Sequence, residues 1–412
     1  MSASAEAAVR GVGRAALDAL IERFGEGSVP SHVRADALAR YEELPARVSI
    51  RGGRGWKHDL DKLDLSGITP YSDGDGEGTR LPALTAAAAG VTIERFSLAR
   101  ERHRAAFERA FGTALDTRDD KFASLALAFT RDGVFIDVPA GVALDEPLEV
   151  GYHAGPAALF PYTLVSLGAG ARATVVERTR SDGEASLVCG IVELVLADRA
   201  DLTYVVDQRA DDATRLIVTR RAVLGADARL NAACAELGGN HVVSRLRAVE
   251  RAPGARVETT VFFFSAGKQH VDIETETIHA AGNTQSHTIV RSAGTDRGQG
   301  RYLGNIKILA SAHGADASLR DDALLLSEGA HIDSVPALEI AANDVRAFHG
   351  ATVGAISEEE LFYAQTRGIP RAEAERMIAL GFFEPAVSRF PGEPLREQLR
   401  IALENKLGPK PV

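Results

Sequence analysis

Two cysteines in 412 residues, Cys189 and Cys234, cannot build a disulfide framework for a chain of this length. Each sits among apolar or small neighbours, with no second Cys or His at close spacing, so both read as buried small hydrophobes and not as a self-contained zinc or cluster site. Long apolar runs are also lacking. None approaches the ~18 residues needed to span a bilayer, and the stretch from Met1 to Gly13 lacks a basic segment followed by an apolar core. A reducing cytoplasm is the expected home. The net charge of -10 comes without any basic stripe, which argues against a nucleic-acid surface or a polybasic membrane patch. No Gly-x-x-x-x-Gly-Lys-Ser/Thr loop occurs to cradle phosphates, and no Gly-x-Ser-x-Gly elbow to present a nucleophile. The chain is therefore expected to hydrolyse no nucleotide by itself and to be no enzyme of the serine-hydrolase kind.

What is present falls into three textures. Apolar residues at helical spacing predict helices over Ala5 to Phe24, Ser31 to Tyr41, Leu98 to Phe111 and Asp120 to Phe129, making residues 1–130 an N-terminal helical region. Within it, Gly52 to Gly55 and Asp73 to Gly78 read as polar loops. Residues 131–350 consist of short Val-, Ile-, Leu- and Thr-rich runs broken by Gly and Ala-Asp pairs, which is a strand-and-turn texture. One turn phrase recurs there. Aligned on Ala171, Ala200, Ala228 and Ala255, it returns after 29, 28 and 27 residues, and it continues at Ser286, Ala317 and Ala347 after 31, 31 and 30. A half-period copy stands at Ala330. A fixed period with degenerate sequence marks a solenoid, in which each coil buries its apolar face against the next. A β-sandwich is the rival, but it rarely keeps one turn chemistry in register so long. The expected fold is mainly β, a parallel β-helix core flanked by helical domains.

Residues 351–412 turn helical again. Ser357 with Glu360 forms a capping-box pattern, Gly368 suits a left-handed stop, a second helix is expected from Arg371 to Leu380 with Gly381 as its stop, and a last one from Glu393 to Lys406. A frayed tail from Gly408 to Val412 follows.

Three features invite a chemical reading. Asp73, Asp75 and Glu77 mimic the start of a calcium loop, but the position of its bidentate Glu is Leu84, so a solvated turn is the better reading. His270, Asp272, Glu274 and Glu276 alternate with apolar or Thr residues and share one strand face, which is either a metal-binding row or, more simply, a solvent-facing surface. His349, between Phe348 and Gly350 where the β texture gives way to helices, carries an imidazole able to ligate iron, and Gly350 would admit a close approach.

The run Asp344-Val-Arg-Ala-Phe-His-Gly-Ala-Thr-Val-Gly354 resembles a signature of the SufB/SufD family of iron–sulfur cluster assembly scaffolds. Similar segments extend from Gly300 to Val387, including Gly300-Arg-Tyr-Leu-Gly304, Ala323-Leu-Leu-Leu-Ser327, Pro336-Ala-Leu-Glu339 and Arg367-Gly-Ile369. Weaker similarity covers Trp56-Lys-His58, Lys121 to Leu125 and Val138 to Val142. The resemblance implies a right-handed parallel β-helix and a non-catalytic scaffold. It implies as partners a SufB-like paralogue and a SufC-like ATPase docked on the C-terminal helices, with a homodimer possible for the isolated chain. It further implies that His349 lies at the paralogue interface, as a candidate iron ligand to a nascent iron–sulfur cluster that this chain alone does not hold stably. Many relatives carry a Cys where this chain has Ala347, so any thiolate would come from the partner. The absence of Cys after residue 234 favours the SufD branch over the SufB branch. A carbohydrate-active or acyl-transferring β-helix enzyme is the competing class, and it would need a constellation of carboxylates or His on one flank that the sequence does not display.

Overall fold

The structure, a computed structural model, describes residues 10–45, 63–71, 79–81, 90–116, 120–183 and 187–408. The Trp56 element, the Asp73 loop and the tail beyond Gly408 lie outside the described residues. The chain opens with α1 (Arg14–Phe24) and α2 (Ser31–Glu43). Two short strands, β1 (Thr79–Arg80) and β2 (Thr92–Arg95), precede α3 (Phe96–Arg102), α4 (Arg104–Ala110) and α5 (Lys121–Phe129). Sixteen strands then follow with no helix between them: β3 (Val134–Val138), β4 (Leu148–Ala154), β5 (Tyr162–Leu167), β6 (Arg172–Ser181), β7 (Leu187–Leu196), β8 (Asp201–Gln208), β9 (Arg215–Leu224), β10 (Arg229–Glu236), β11 (His241–Glu250), β12 (Arg256–Ser265), β13 (His270–His279), β14 (Gln285–Gly294), β15 (Gln299–Ile308), β16 (Asp316–Leu325), β17 (His331–Ile340) and β18 (Arg346–Ala355). The chain closes with α6 (Glu358–Thr366), α7 (Arg371–Val387) and α8 (Glu393–Lys406).

From β3 onward the chain alternates between two nine-stranded sheets at every strand. One sheet holds β1 and the even strands β4 to β18; the other holds β2 and the odd strands β3 to β17. Every pairing is parallel except β1 with β4 and β2 with β3. Two successive strands therefore make one coil of a flattened β-solenoid, the fold that the sequence period implies. The last strand runs to Ala355, so position 350 lies inside it.

The period has a physical origin at one corner. Gly170, Arg199, Asp227, Gly254, Asn283 and Gly314 occupy equivalent places in successive coils, and all have φ between 55° and 74°. Each donates its N–H to a carbonyl of the next coil, from Gly170 to Asp198 through Gly314 to Asp344. Left-handed backbone favours Gly, Asn and Asp, which is why the turn phrase is constant in shape and degenerate in letters. Ser286, Ala317 and Ala347 are not the equivalents of Ala255. The ladder pairs Arg256 with Gln285, Asp316 and Arg346 in succession, so those three anchors sit two residues too far along.

Inside the solenoid, like residues stack from coil to coil, as in Leu202, Leu230 and Val257, or Val206, Cys234, Val261 and Val290. Each such fully buried side chain contributes roughly 1.5–3 kcal/mol relative to exposure. That gain exists only when the neighbouring coil is present. The outer faces are also covered. Helices α1, α2 and α5 pack on the odd-strand sheet over Phe135, Leu164, Cys189, Ile217 and Val243. Helices α7 and α8 pack on the even-strand sheet, setting Phe383, Val387 and Leu399 against Val205, Phe262 and Phe264.

Several local expectations change. Helix α1 begins only at Arg14, because Gly11 at φ 82° cannot continue a right-handed helix. The helix expected over Leu98 to Phe111 divides at His103 into α3 and α4. Ser357 is the N-terminal residue before α6 but makes no side-chain capping bond, so the capping box does not form. Helix α7 passes through Gly381 and continues to Val387, since Phe383, Ala386 and Val387 gain burial there.

Candidate functional site

The solenoid ends abruptly. Strand β18 pairs only with β16, and β17 only with β15, so the last coil presents two unpaired ten-residue edges. An edge strand carries a row of unsatisfied N–H and C=O groups and is a template for pairing with another chain. This coil is also apolar where it is exposed: Phe348 is 62% exposed, and Ile340 and Val353 are each 45% exposed. Proteins normally blunt such edges or cover them.

His349 lies on β18 opposite Leu319, a buried core residue, so it belongs to the inward-facing set of its strand. With no further coil above it, the imidazole is exposed. Beneath it the floor of the coil is formed by Leu319 and Asp321, both almost completely buried. Asp321 lies opposite Ala351, accepts a hydrogen bond from Ser334 Oγ across the coil, and has no partner for its Oδ1. Burial pushes its carboxyl up to about 7. Asp322, on the other face, is well supplied: Arg291 Nη1 at 2.7 Å, Arg320 Nε at 2.9 Å and Thr352 Oγ1 at 2.5 Å. Burial raises its carboxyl, but the Thr352 and Arg320 hydrogen bonds outweigh this and hold it below the usual range.

The His270 row is not a solvent-facing surface. Asp272, Glu274 and Glu276 are buried and paired: Arg301 holds Asp272 through Nε at 2.8 Å, Arg245 Nε reaches Glu274 at 3.4 Å, and Arg247 and Asn305 hold Glu276. Asp120, the N-cap of α5, closes the same network against Arg221 at 3.1 Å and Arg245 at 3.6 Å. The row is an ion-pair ladder, and no group of three or more His, Cys, Asp or Glu side chains able to hold a metal occurs among the described residues. Cys189 lies under α5, donating its thiol to the Phe122 carbonyl at 3.3 Å, and burial pushes that thiol up. Cys234 stacks between Val206 and Val261, and burial pushes its thiol up to about 12. Neither offers a thiolate near neutral pH.

Sequence reasoning missed the inward-facing polar groups, of which two stand for the rest. Arg220 lies inside the solenoid with Glu236 at 3.3 Å, Glu177 at 3.5 Å, Ser244 at 2.6 Å and Tyr204 at 3.2 Å. Asp321 is the other. Strand alternation is the signal that could have found both, since each shares parity with core residues of its strand.

A two-sheet parallel solenoid, held between helical layers and open at its last coil, is the class of protein this fold defines. The profile of the "SUF system FeS cluster assembly, SufBD core domain" matches residues 151–382, more than half of the chain, and that of the "SufBD protein N-terminal region" matches residues 78–150. Curated iron–sulfur cluster assembly SufBD family proteins of Staphylococcus saprophyticus and Staphylococcus epidermidis are each 27% identical to it over 326 residues, covering 77% of this chain and 70% of theirs. One from Staphylococcus haemolyticus matches equally well. The chain belongs to the SufBD family of iron–sulfur cluster assembly proteins.

Proposed function

We propose that this chain is the SufD-like half of a heterodimeric scaffold, working in the cytoplasm. Its terminal coil pairs with a SufB-like paralogue, and a SufC-like ATPase docks on the helices spanning about 357–390. The observation that carries this reading is the unpaired, apolar last coil, whose exposed Phe348 and Val353 flank His349. His349 contributes one nitrogen ligand or a proton-handling group to the nascent cluster, which is cargo and not a resident cofactor. Thiolates come from the partner, because both cysteines here are buried far from the coil's sequence. For the ATPase, α6 and α7 offer Phe362 at 69%, Tyr363 at 61% and Met377 at 51% exposure, a second apolar patch. ATP hydrolysis there can alter the scaffold only if the ATPase binds one of its conformations more tightly.

The test is cluster formation on the anaerobically purified three-component complex, read by its visible absorption. His349→Ala is expected to leave the complex assembled and to abolish most of the cluster absorption. Unchanged absorption would remove His349 from the site.

A further inference from the structure

The outer face of the odd-strand sheet changes sign at every strand toward its open end. β11 carries Arg245 and Arg247, β13 carries Asp272, Glu274 and Glu276, β15 carries Arg301 and Lys307, and β17 carries Asp333 and Glu339, all on one face of the ladder. Each row is answered by the next. Arg245 Nε reaches Glu274 at 3.4 Å, Arg247 pairs with Glu276, Arg301 Nε holds Asp272 at 2.8 Å, and Lys307 Nζ meets Glu339 at 3.1 Å. β17 is the last strand of its sheet, so no row answers it from beyond. Asp333 stands in register over Arg301, whose Nε and Nη2 both turn back to Asp272. Its one partner among the described residues is His331 of its own strand, at 2.8 Å. The side chains of Asp333 and Glu339 remain 37% and 52% exposed. The strand contains no Lys or Arg. The even-strand sheet ends on the opposite sign, since β18 holds Arg346, 87% exposed, and no carboxylate.

We propose that Asp333 and Glu339 select the partner of this edge: they fit a strand whose outward row is basic, with Lys or Arg side chains six residues apart. This rests on the reading of the terminal coil as the pairing face. Six residues of strand span about 20 Å, so the two carboxylates read the register of the incoming strand as well as its charge. Opposite charges directly across a strand pair stabilise it, and like charges destabilise it. A second copy of this chain, laid antiparallel about Pro336, sets Asp333 against Glu339 on both sides of that residue. The acidic row therefore disfavours pairing of β17 with itself. Its occupant is the SufB-like paralogue, carrying the complementary basic row, and not a second copy.

The test is the affinity of the full chain for the purified paralogue at low and high salt, with sedimentation of the chain alone reading self-association. Asp333→Asn with Glu339→Gln is expected to weaken paralogue binding about tenfold at low salt, to flatten its salt dependence and to raise self-association. Asp333→Lys with Glu339→Lys weakens paralogue binding further. Thermal melts confirm the folding of each variant. Phe348→Asp with Val353→Asp is the control for the face itself. Loss of binding in that control, with native affinity and salt dependence in both row variants, overturns the charge selection and leaves the pairing face standing. Native affinity in all three overturns the pairing face and the selection together. A native chain that sediments as a dimer where it also binds the paralogue, unchanged by the neutral variant, overturns the exclusion of a second copy.

Discussion

At the scale of single residues, burial decides what an ionisable group can do. Glu250 and His279 are both completely buried at one corner of the solenoid, with Oε2 and Nδ1 2.6 Å apart. His279 also reaches Thr284 Oγ1 at 2.8 Å and Ser286 Oγ at 2.9 Å. Desolvation raises the Glu250 carboxyl from 4.5 to about 7, although His279 opposes the shift. A carboxyl whose folded value lies above its unfolded one favours the fold fully at pH below 4.5, and the benefit fades as pH rises to about 7. Glu250→Gln removes that dependence. Its unfolding free energy relative to the native chain, read from urea melts, is therefore expected to improve by about 2 kcal/mol between pH 5.5 and 8. A constant offset across that range would mean that Glu250 stays ionised throughout. Glu250 and Asp321 both share the facing of core residues on their strands, Ala248 and Leu319, so strand parity places both inward. Single residues were legible when their face was.

At the scale of elements, backbone chemistry was the most legible part. Gly368, at φ 84°, ends α6 as the sequence implies, and α8 covers Glu393 to Lys406 as expected. One error comes from tertiary contact overriding local preference. Gly381 is a poor helix residue, yet α7 continues through it because Phe383 packs against Phe262 and Phe264. The turn phrases slipped by two residues after Ala255 because a two-residue shift preserves strand facing, leaving the apolar pattern unable to detect it. Where coils approach most closely, no tolerance remains. A Cβ on Gly238 would lie 1.9 Å from the Ala210 carbonyl oxygen, and Gln208 clamps this corner by bonding both Gly238 N at 2.8 Å and Gly238 O at 2.9 Å. Gly238→Ala is expected to cost at least about 2 kcal/mol, since a backbone and not a side chain must move. A thermal melt unchanged from the native chain would show that the corner yields freely.

At the scale of the whole molecule, the two-sheet solenoid and its helical ends were legible from period and texture. The layering was not. Nothing in the alternation of His270 to Thr277 reveals that Asp272 and Glu274 are covered, because the covering groups come from Asp120 at the start of α5 and from Arg245 and Arg301 on the neighbouring strands. The row looked like solvent surface because alternation reports two faces and not what lies over them. The open end, by contrast, follows from topology, since a solenoid cannot satisfy its own last coil. The central claim is that this end is the pairing face, independent of the helical patch on α6 and α7. Introducing charge into it, as Phe348→Asp with Val353→Asp, tests the claim directly by co-purification with the SufB-like paralogue and the SufC-like ATPase. The account predicts that the double variant folds, loses the paralogue and still retains the ATPase. Retention of the paralogue at the native level would contradict it.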